Sequence, residues 1–260
     1  MKILILYFSG VGATKKIAEM MASSLSDHEV KLYSVEEKVF KDFSCYDALI
    51  VGTPTYHASP AQFLMDYIDA IPVQNQQLPT FVFNTKGLAS CETNRILAKK
   101  LLSKNLITIY EADYLAPASD GSLFVPQIKR FFKFEKDVGL KVIRDCTHFL
   151  QSVHAQQLLH TQEDKVTAKI PPIRFSTFIN APNKFGSSFV KMNIHLHQDT
   201  CIKCNLCIKG CPYDAFTISE ALFPVVIKDK CTNCYRCIHH CPTQALSLFK
   251  KKKHKRVLKY

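Results

Sequence analysis

Eight cysteines between positions 201 and 241 constrain this chain more than any other feature of its sequence. They fall in two copies of one pattern. Cys201, Cys204, Cys207 and Cys211, followed by Pro212, form the first; Cys231, Cys234, Cys237 and Cys241, followed by Pro242, form the second. Three thiolates spaced two residues apart can each take one corner of a cuboidal [4Fe–4S] cluster, which needs four sulfur ligands. A structural zinc site draws four ligands from paired knuckles and leaves the third closely spaced cysteine without a role. A disulfide framework belongs to an oxidising compartment and usually to a small secreted chain. Neither accounts for the duplication or for the two prolines. The pattern therefore implies two [4Fe–4S] clusters and electron transfer. The other three cysteines, Cys45, Cys91 and Cys146, read as ordinary thiols.

Each run resembles that of the bacterial two-cluster ferredoxins, in which the fourth cysteine reaches across to the other cluster. The resemblance implies that Cys201, Cys204, Cys207 and Cys241 hold one cluster. Cys231, Cys234, Cys237 and Cys211 then hold the other.

With 260 residues the chain has room for one fair-sized domain and a small one. Its hydrophobic content is 47%, and no apolar run approaches the length needed to span a bilayer. The N-terminal MKILILYFSG has an apolar stretch at the short limit for a signal peptide and no small-residue cleavage pattern after it. Cluster thiolates must stay reduced, so the expected home is the cytoplasm of a low-oxygen cell. The formal charge of +12 shrinks on loading. Two ligated clusters and a flavin phosphate together leave roughly +6. Seven of the basic residues lie in the last eleven, so the remainder is close to neutral, which weighs against nucleic acid as a partner.

Residues 1–115 alternate in a β-α-β rhythm. Lys2–Phe8 is a continuous apolar run, the mark of a strand buried on both faces. Ile17, Met20, Met21 and Leu25 are spaced for one helix face. Strands follow over Glu29–Val35, Ala48–Gly52, Thr80–Asn84 and Leu106–Tyr110. One helix is expected from Ser59-Pro60, with Ser59 as N-cap and Pro60 at the first helical position. Others are expected from Glu92 to Leu102 and from Gly139 to about Leu159. Such alternation with short loops makes a parallel sheet covered by helices on both faces.

The loop after the first strand, Ser9-Gly10-Val11-Gly12-Ala13-Thr14, has two glycines that let successive N–H groups face one point, where the next helix adds its positive end. That is a phosphate site. No Gly-Lys-Ser/Thr follows, so it is not a P-loop, and Lys15 stands where a dinucleotide fingerprint needs a third glycine. The loop resembles the FMN phosphate loop of flavodoxins, with Val11 where those proteins often carry a hydroxyl. Two further segments fall at the same carboxyl edge of the sheet, Thr53-Pro54-Thr55-Tyr56-His57 and Thr85-Lys86-Gly87. In flavodoxins such loops hold the flavin ring. The resemblance implies Tyr56 as the stacking residue, His57 after it, and Gly87 as the point where backbone approaches the ring edge.

Residues 116–138 read as irregular. The segment Ile170–Met192 interleaves basic residues with Phe175, Phe178, Phe185 and Phe189, and is expected to pack against the two domains. The terminal KKKKHKR is expected to be solvated and disordered.

The whole layout resembles a family of flavodoxin–ferredoxin fusions of anaerobic prokaryotes. The resemblance is carried by YFSGVGATKK, by the TPTY and NTKG loops, and by the CIKCNLCIKGCP…CTNCYRCIHHCP pair. The expected fold is α/β: a flavodoxin-like doubly wound parallel sheet in the order 2-1-3-4-5, with a small α+β two-cluster ferredoxin domain at the C-terminus. The expected boundaries are 1–160 for the first domain, 161–192 for a bridge, 193–249 for the second domain and 250–260 for a basic tail. The expected function is electron transfer between the clusters and FMN, linking one- and two-electron carriers, with redox proteins as partners. Two other readings are a flavin- and iron–sulfur-dependent reductase and an iron–sulfur regulatory or sensor protein.

Overall fold

In the computed structural model of the protein, residues 1–37, 39–159, 168–173, 193–250 and 258 are described. Five long parallel strands make the first unit: β1 (Lys2–Tyr7), β2 (Glu29–Ser34), β3 (Ala48–Tyr56), β5 (Leu78–Lys86) and β6 (Leu106–Leu115), in the order β2-β1-β3-β5-β6. A two-residue strand, β4 (Ser59–Pro60), pairs antiparallel to the end of β3. Counting the long strands alone, the order is 2-1-3-4-5, that of a doubly wound sheet.

Side chains alternate across β1, and both faces are dry. Ile3, Ile5 and Tyr7 pack under α1 (Ala13–Ser24) and α5 (Val138–Leu159), through Ile17, Met21, Val142 and Phe149. Leu4, Leu6 and Phe8 pack under α2 (Gln62–Ala70) and α3 (Thr93–Leu102), through Leu64, Ile68, Leu97 and Leu101. Burial on both faces is why these strands read as unbroken apolar runs.

Three strands run further than their composition indicates. β3 continues to Tyr56 because Thr53 and Pro54 stay in register with Asn84 and Thr85 of β5. β5 in turn holds Lys86 opposite Leu115. Thr53–Tyr56 and Thr85–Lys86 are therefore strand ends and not loops. The helix start is also displaced. Ser59 and Pro60 turn back along β3, and α2 begins at Gln62, with the Ala61 amide donating to Thr53 Oγ1 at 3.0 Å. Ser59 is not the N-cap.

The second unit is small and duplicated. Short helices α6 (Leu206–Lys209) and α7 (Arg236–His239) lie within the two cysteine runs. Two antiparallel pairs complete it: β7 (His195–Leu196) with β10 (Leu246–Ser247), and β8 (Phe216–Ile218) with β9 (Pro224–Val226). Between the units, α4 (Gly121–Phe124) sends Leu123 into the apolar cluster of Tyr235, Ile238, Leu246 and Leu248.

The bridging phenylalanines and most of the basic tail lie outside the described residues. Leu258 is described, and it departs from the expectation of a solvated tail. It is buried, and its amide donates to His239 Nδ1 at 2.9 Å. Among the described residues, no helix is long and apolar enough to cross a membrane.

Candidate functional site

The carboxyl edge of the sheet opens into a cleft. Eleven of the sequence-predicted residues line it: Ser9, Gly10, Val11, Ala13, Thr14, Pro54, Thr55, Tyr56, Thr85, Lys86 and Gly87. Gly12 sits just behind, at φ 97°, as the residue that turns the loop into α1. A side chain there would be strained. His57 does not line the cleft. It is exposed, and with Ala58 it forms the two-residue turn between β3 and β4, at φ 48° and 64°. The fourth wall, Pro117–Asp120, comes from the stretch read as irregular. The Ala118 amide donating to the Phe131 carbonyl at 3.1 Å helps hold that wall.

The loop at residues 9–14 presents donors to one point. Ser9 Oγ accepts from the amides of Gly12 and Lys15 at 3.1 and 3.2 Å. Among the described residues, the amides of Gly10 and Val11 find no acceptor, and those of Ala13 and Thr14 are first-turn amides of α1. Free amides at a helix N-terminus are the donor set an anionic phosphate needs. Beneath them, Thr14 Oγ1 and Thr85 Oγ1 share a hydrogen bond of 2.8 Å, and Thr55 Oγ1 donates to Asn84 Oδ1 at 3.0 Å. Lys86 is ion-paired with Asp113. The residues fit a phosphorylated ligand.

The eight cysteines gather into two groups of four, around separate cavities. Cys201, Cys204, Cys207 and Cys241 line one. Cys211, Cys231, Cys234 and Cys237 line the other. Among the described residues, no three His, Cys, Asp or Glu side chains form a group that could hold a single metal ion. Thiols spread around a cavity suit a polynuclear core.

The local backbone explains the gathering. Lys203 and Asn205 flank Cys204 at φ 55° and 59°, and Asn233 and Tyr235 flank Cys234 at φ 55° and 60°. Left-handed residues on either side of a cysteine curl the chain tightly enough to aim successive thiols inward. The amides of Ala215 and Ala245 donate to Cys211 and Cys241 Sγ at 3.4 and 3.2 Å, the kind of contact that tunes a cluster. Burial pushes the Cys207 and Cys234 thiols up to about 11, and Cys237 well above its ordinary value. Ligation has to displace those protons.

The two halves of the duplication face different surroundings. The Cys234 half docks on the sheet edge and Cys234 is buried, whereas Cys204 is exposed. Tyr213 accepts a hydrogen bond from the Phe63 amide at 3.3 Å, its ring edge-on to Phe63 and Phe8. His239 Nε2 meets the carbonyl of Ser119, in the cleft wall, at 2.9 Å. Tyr56 stands between cleft and cysteines, its phenol pushed well above its ordinary range by burial and by the neighbouring Cys234 and Tyr213. Arg236 reaches the phosphate loop itself, donating from Nη2 to the Ser9 carbonyl at 2.6 Å and from Nε to the Gly10 carbonyl at 2.8 Å. Sequence reasoning passed over Arg236 and Pro117–Asp120. The one available signal was that position 236 is Arg while its counterpart in the first run, position 206, is Leu.

A model described as a flavodoxin domain matches residues 4–132, and one described as a 4Fe-4S dicluster domain matches residues 194–248. Among solved structures, an archaeal flavodoxin shares 16% identity over 59% of this chain and 99% of its own, at a TM-score of 0.45. Oxidised flavodoxin 2 from Bacillus cereus shares 22% over 60% of this chain and 99% of its own, at 0.42. Rubredoxin oxygen:oxidoreductase from Desulfovibrio gigas shares 20% over 60% of this chain and 37% of its own, at 0.42. No curated protein matches. A flavodoxin domain implies FMN, and a 4Fe-4S domain implies an iron–sulfur cluster. The chain is therefore a fusion of an N-terminal flavodoxin domain with a C-terminal 4Fe-4S dicluster domain, a flavin and iron–sulfur electron-transfer protein.

Proposed function

We propose that this protein passes electrons between an FMN in the cleft and two [4Fe–4S] clusters, and so links one- and two-electron carriers. FMN supplies one- or two-electron exchange and each cluster one-electron exchange. The amides of Gly10, Val11, Ala13 and Thr14 would hold the phosphate, and Pro54–Tyr56, Thr85–Gly87 and Pro117–Asp120 would enclose the ring. Cys211, Cys231, Cys234 and Cys237 would hold the cluster nearer the flavin. Cys201, Cys204, Cys207 and Cys241 would hold the outer one, beside the exposed Ile202 and Leu206, where an external redox protein can approach.

One observation carries this reading. The loop bearing Cys234 packs directly on the phosphate loop, its carbonyl 3.9 Å from where a Cβ on Gly10 would stand, with Tyr56 alongside. Gly10, Tyr56 and the Cys234 loop form the wall shared by the cleft and the inner cysteine set. Protein purified without oxygen should carry about eight irons and one non-covalent FMN per chain. Two zinc ions in place of iron would sink the cluster assignment. Apoprotein that leaves flavin fluorescence unquenched would sink the FMN assignment.

A further inference from the structure

We propose that Arg236, carried by the iron–sulfur domain, is a positioning residue for the flavin phosphate: it sets the orientation of the amides that bind it. This rests on the FMN reading above and names a residue from the other domain that the reading requires. The peptide bonds here are trans, so each carbonyl points opposite the N–H that follows it in the same plane. Arg236 pins the Ser9 carbonyl, which turns the Gly10 amide the other way. It pins the Gly10 carbonyl, which turns the Val11 amide the same way. Those are the two loop amides without an acceptor. A glycine-rich loop otherwise samples many peptide orientations, and ordering it would weaken ligand binding.

The guanidinium is itself held firmly. Nη1 and Nη2 each meet one oxygen of Glu36 at 2.6 Å, a bidentate pair, and the charge lies 5.5 Å from the centre of the Phe8 ring. The side chain is only 13% exposed. The duplication supplies an internal control. Position 206 occupies the matching place in the outer run, and there the chain carries Leu, half exposed and without such a duty. A cysteine loop of this shape therefore accepts Leu at this place. Arg236 Nη1 also donates to the Gly210 carbonyl at 3.1 Å beside Cys211, so the variant is compared with wild type only at matched iron content. By linkage, phosphate binding should tighten the docking of the iron–sulfur domain by the same factor.

Full-length Arg236→Leu and wild type, at matched iron content and stripped of flavin, are titrated with FMN and with riboflavin, which lacks the phosphate. Quenching of flavin fluorescence gives each Kd. Arg236→Leu should weaken FMN about tenfold, equal to about 1.4 kcal/mol, and change riboflavin less than about twofold. Glu36→Gln, which leaves the guanidinium on both carbonyls, should give a smaller loss confined to FMN. Equal weakening of both flavins in Arg236→Leu would mean mere loosening of the seam, and no change would mean no clamp; either overturns the proposal. Wild type that binds riboflavin but discriminates nothing in favour of FMN would overturn the phosphate reading beneath it.

Discussion

Gly10→Ala is expected to damage the seam between the domains, and Tyr56→Phe is expected to rescue it. A Cβ on Gly10 would stand 1.9 Å from Tyr56 Oη, about 1.5 Å short of the 3.4 Å at which ordinary contact begins. Cys234, Tyr213 and Arg236 flank the phenol on the side away from the cleft and limit its swing. Overpacking of this kind costs about 1–3 kcal/mol. Deleting the hydroxyl leaves Tyr56 Cζ as the nearest atom at 3.2 Å, a clash that a few tenths of an ångström relieve. The strain should therefore fall below about 1 kcal/mol in the double variant, giving a favourable coupling energy of up to about 2 kcal/mol. Urea unfolding of the four proteins closes the cycle, and FMN titration should show the same pattern. Additive losses would refute the reasoning, since they would place Tyr56 Oη away from Gly10.

Three further outcomes follow from the same geometry. Cys211→Ala should abolish the paramagnetic signal of the cluster held by Cys231, Cys234 and Cys237 and leave that of the Cys201 set intact, a pattern reversed in Cys241→Ala. Gly12→Val should raise the FMN Kd at least about a hundredfold, because Gly12 sits at φ 97° where a β-branched residue forces the nest open. Burial pushes the Cys146 thiol up to about 11 from 9.0, so its contribution is intact below pH 9 and is lost as the pH rises from 9 to 11. Apoprotein should lose up to about 2–3 kcal/mol from this group over that window, and Cys146→Ala should flatten the stability–pH curve there; an unchanged slope would contradict it.

What the sequence revealed and what it hid divide by distance along the chain. The closely spaced cysteine triplets and the phosphate loop come from residues a few positions apart, where spacing and left-handed turns do the positioning. The fourth cysteine of each set comes from the other run, and in the sequence only the resemblance implies it. The core strands are legible for a similar reason, since burial on both faces marks each one separately. The end of β3 is not, because whether Thr53–Tyr56 is loop or strand depends on its register with β5 and on the β4 return. Pro117–Asp120 looks irregular alone and becomes a cleft wall only through Phe131 and His239. Arg236 is the extreme case: its contacts with Ser9 and Gly10 span 227 and 226 positions. Nothing in its own neighbourhood distinguishes it from any basic residue of a cysteine loop. Its meaning lies in the docked seam, as does that of Tyr213 with Phe63.

The seam is the central claim, and flash photoreduction of the clusters in the loaded full-length protein tests it most directly. With both cofactor sites joined inside one chain, electrons need not wait for a second molecule. The flavin absorbance change that follows the flash should then proceed with one first-order rate constant, unchanged over about a tenfold range of protein concentration. A rate that rises in proportion to concentration would mean that electrons reach the flavin only by collision between chains, and the docked path past Cys234 and Tyr56 would be wrong.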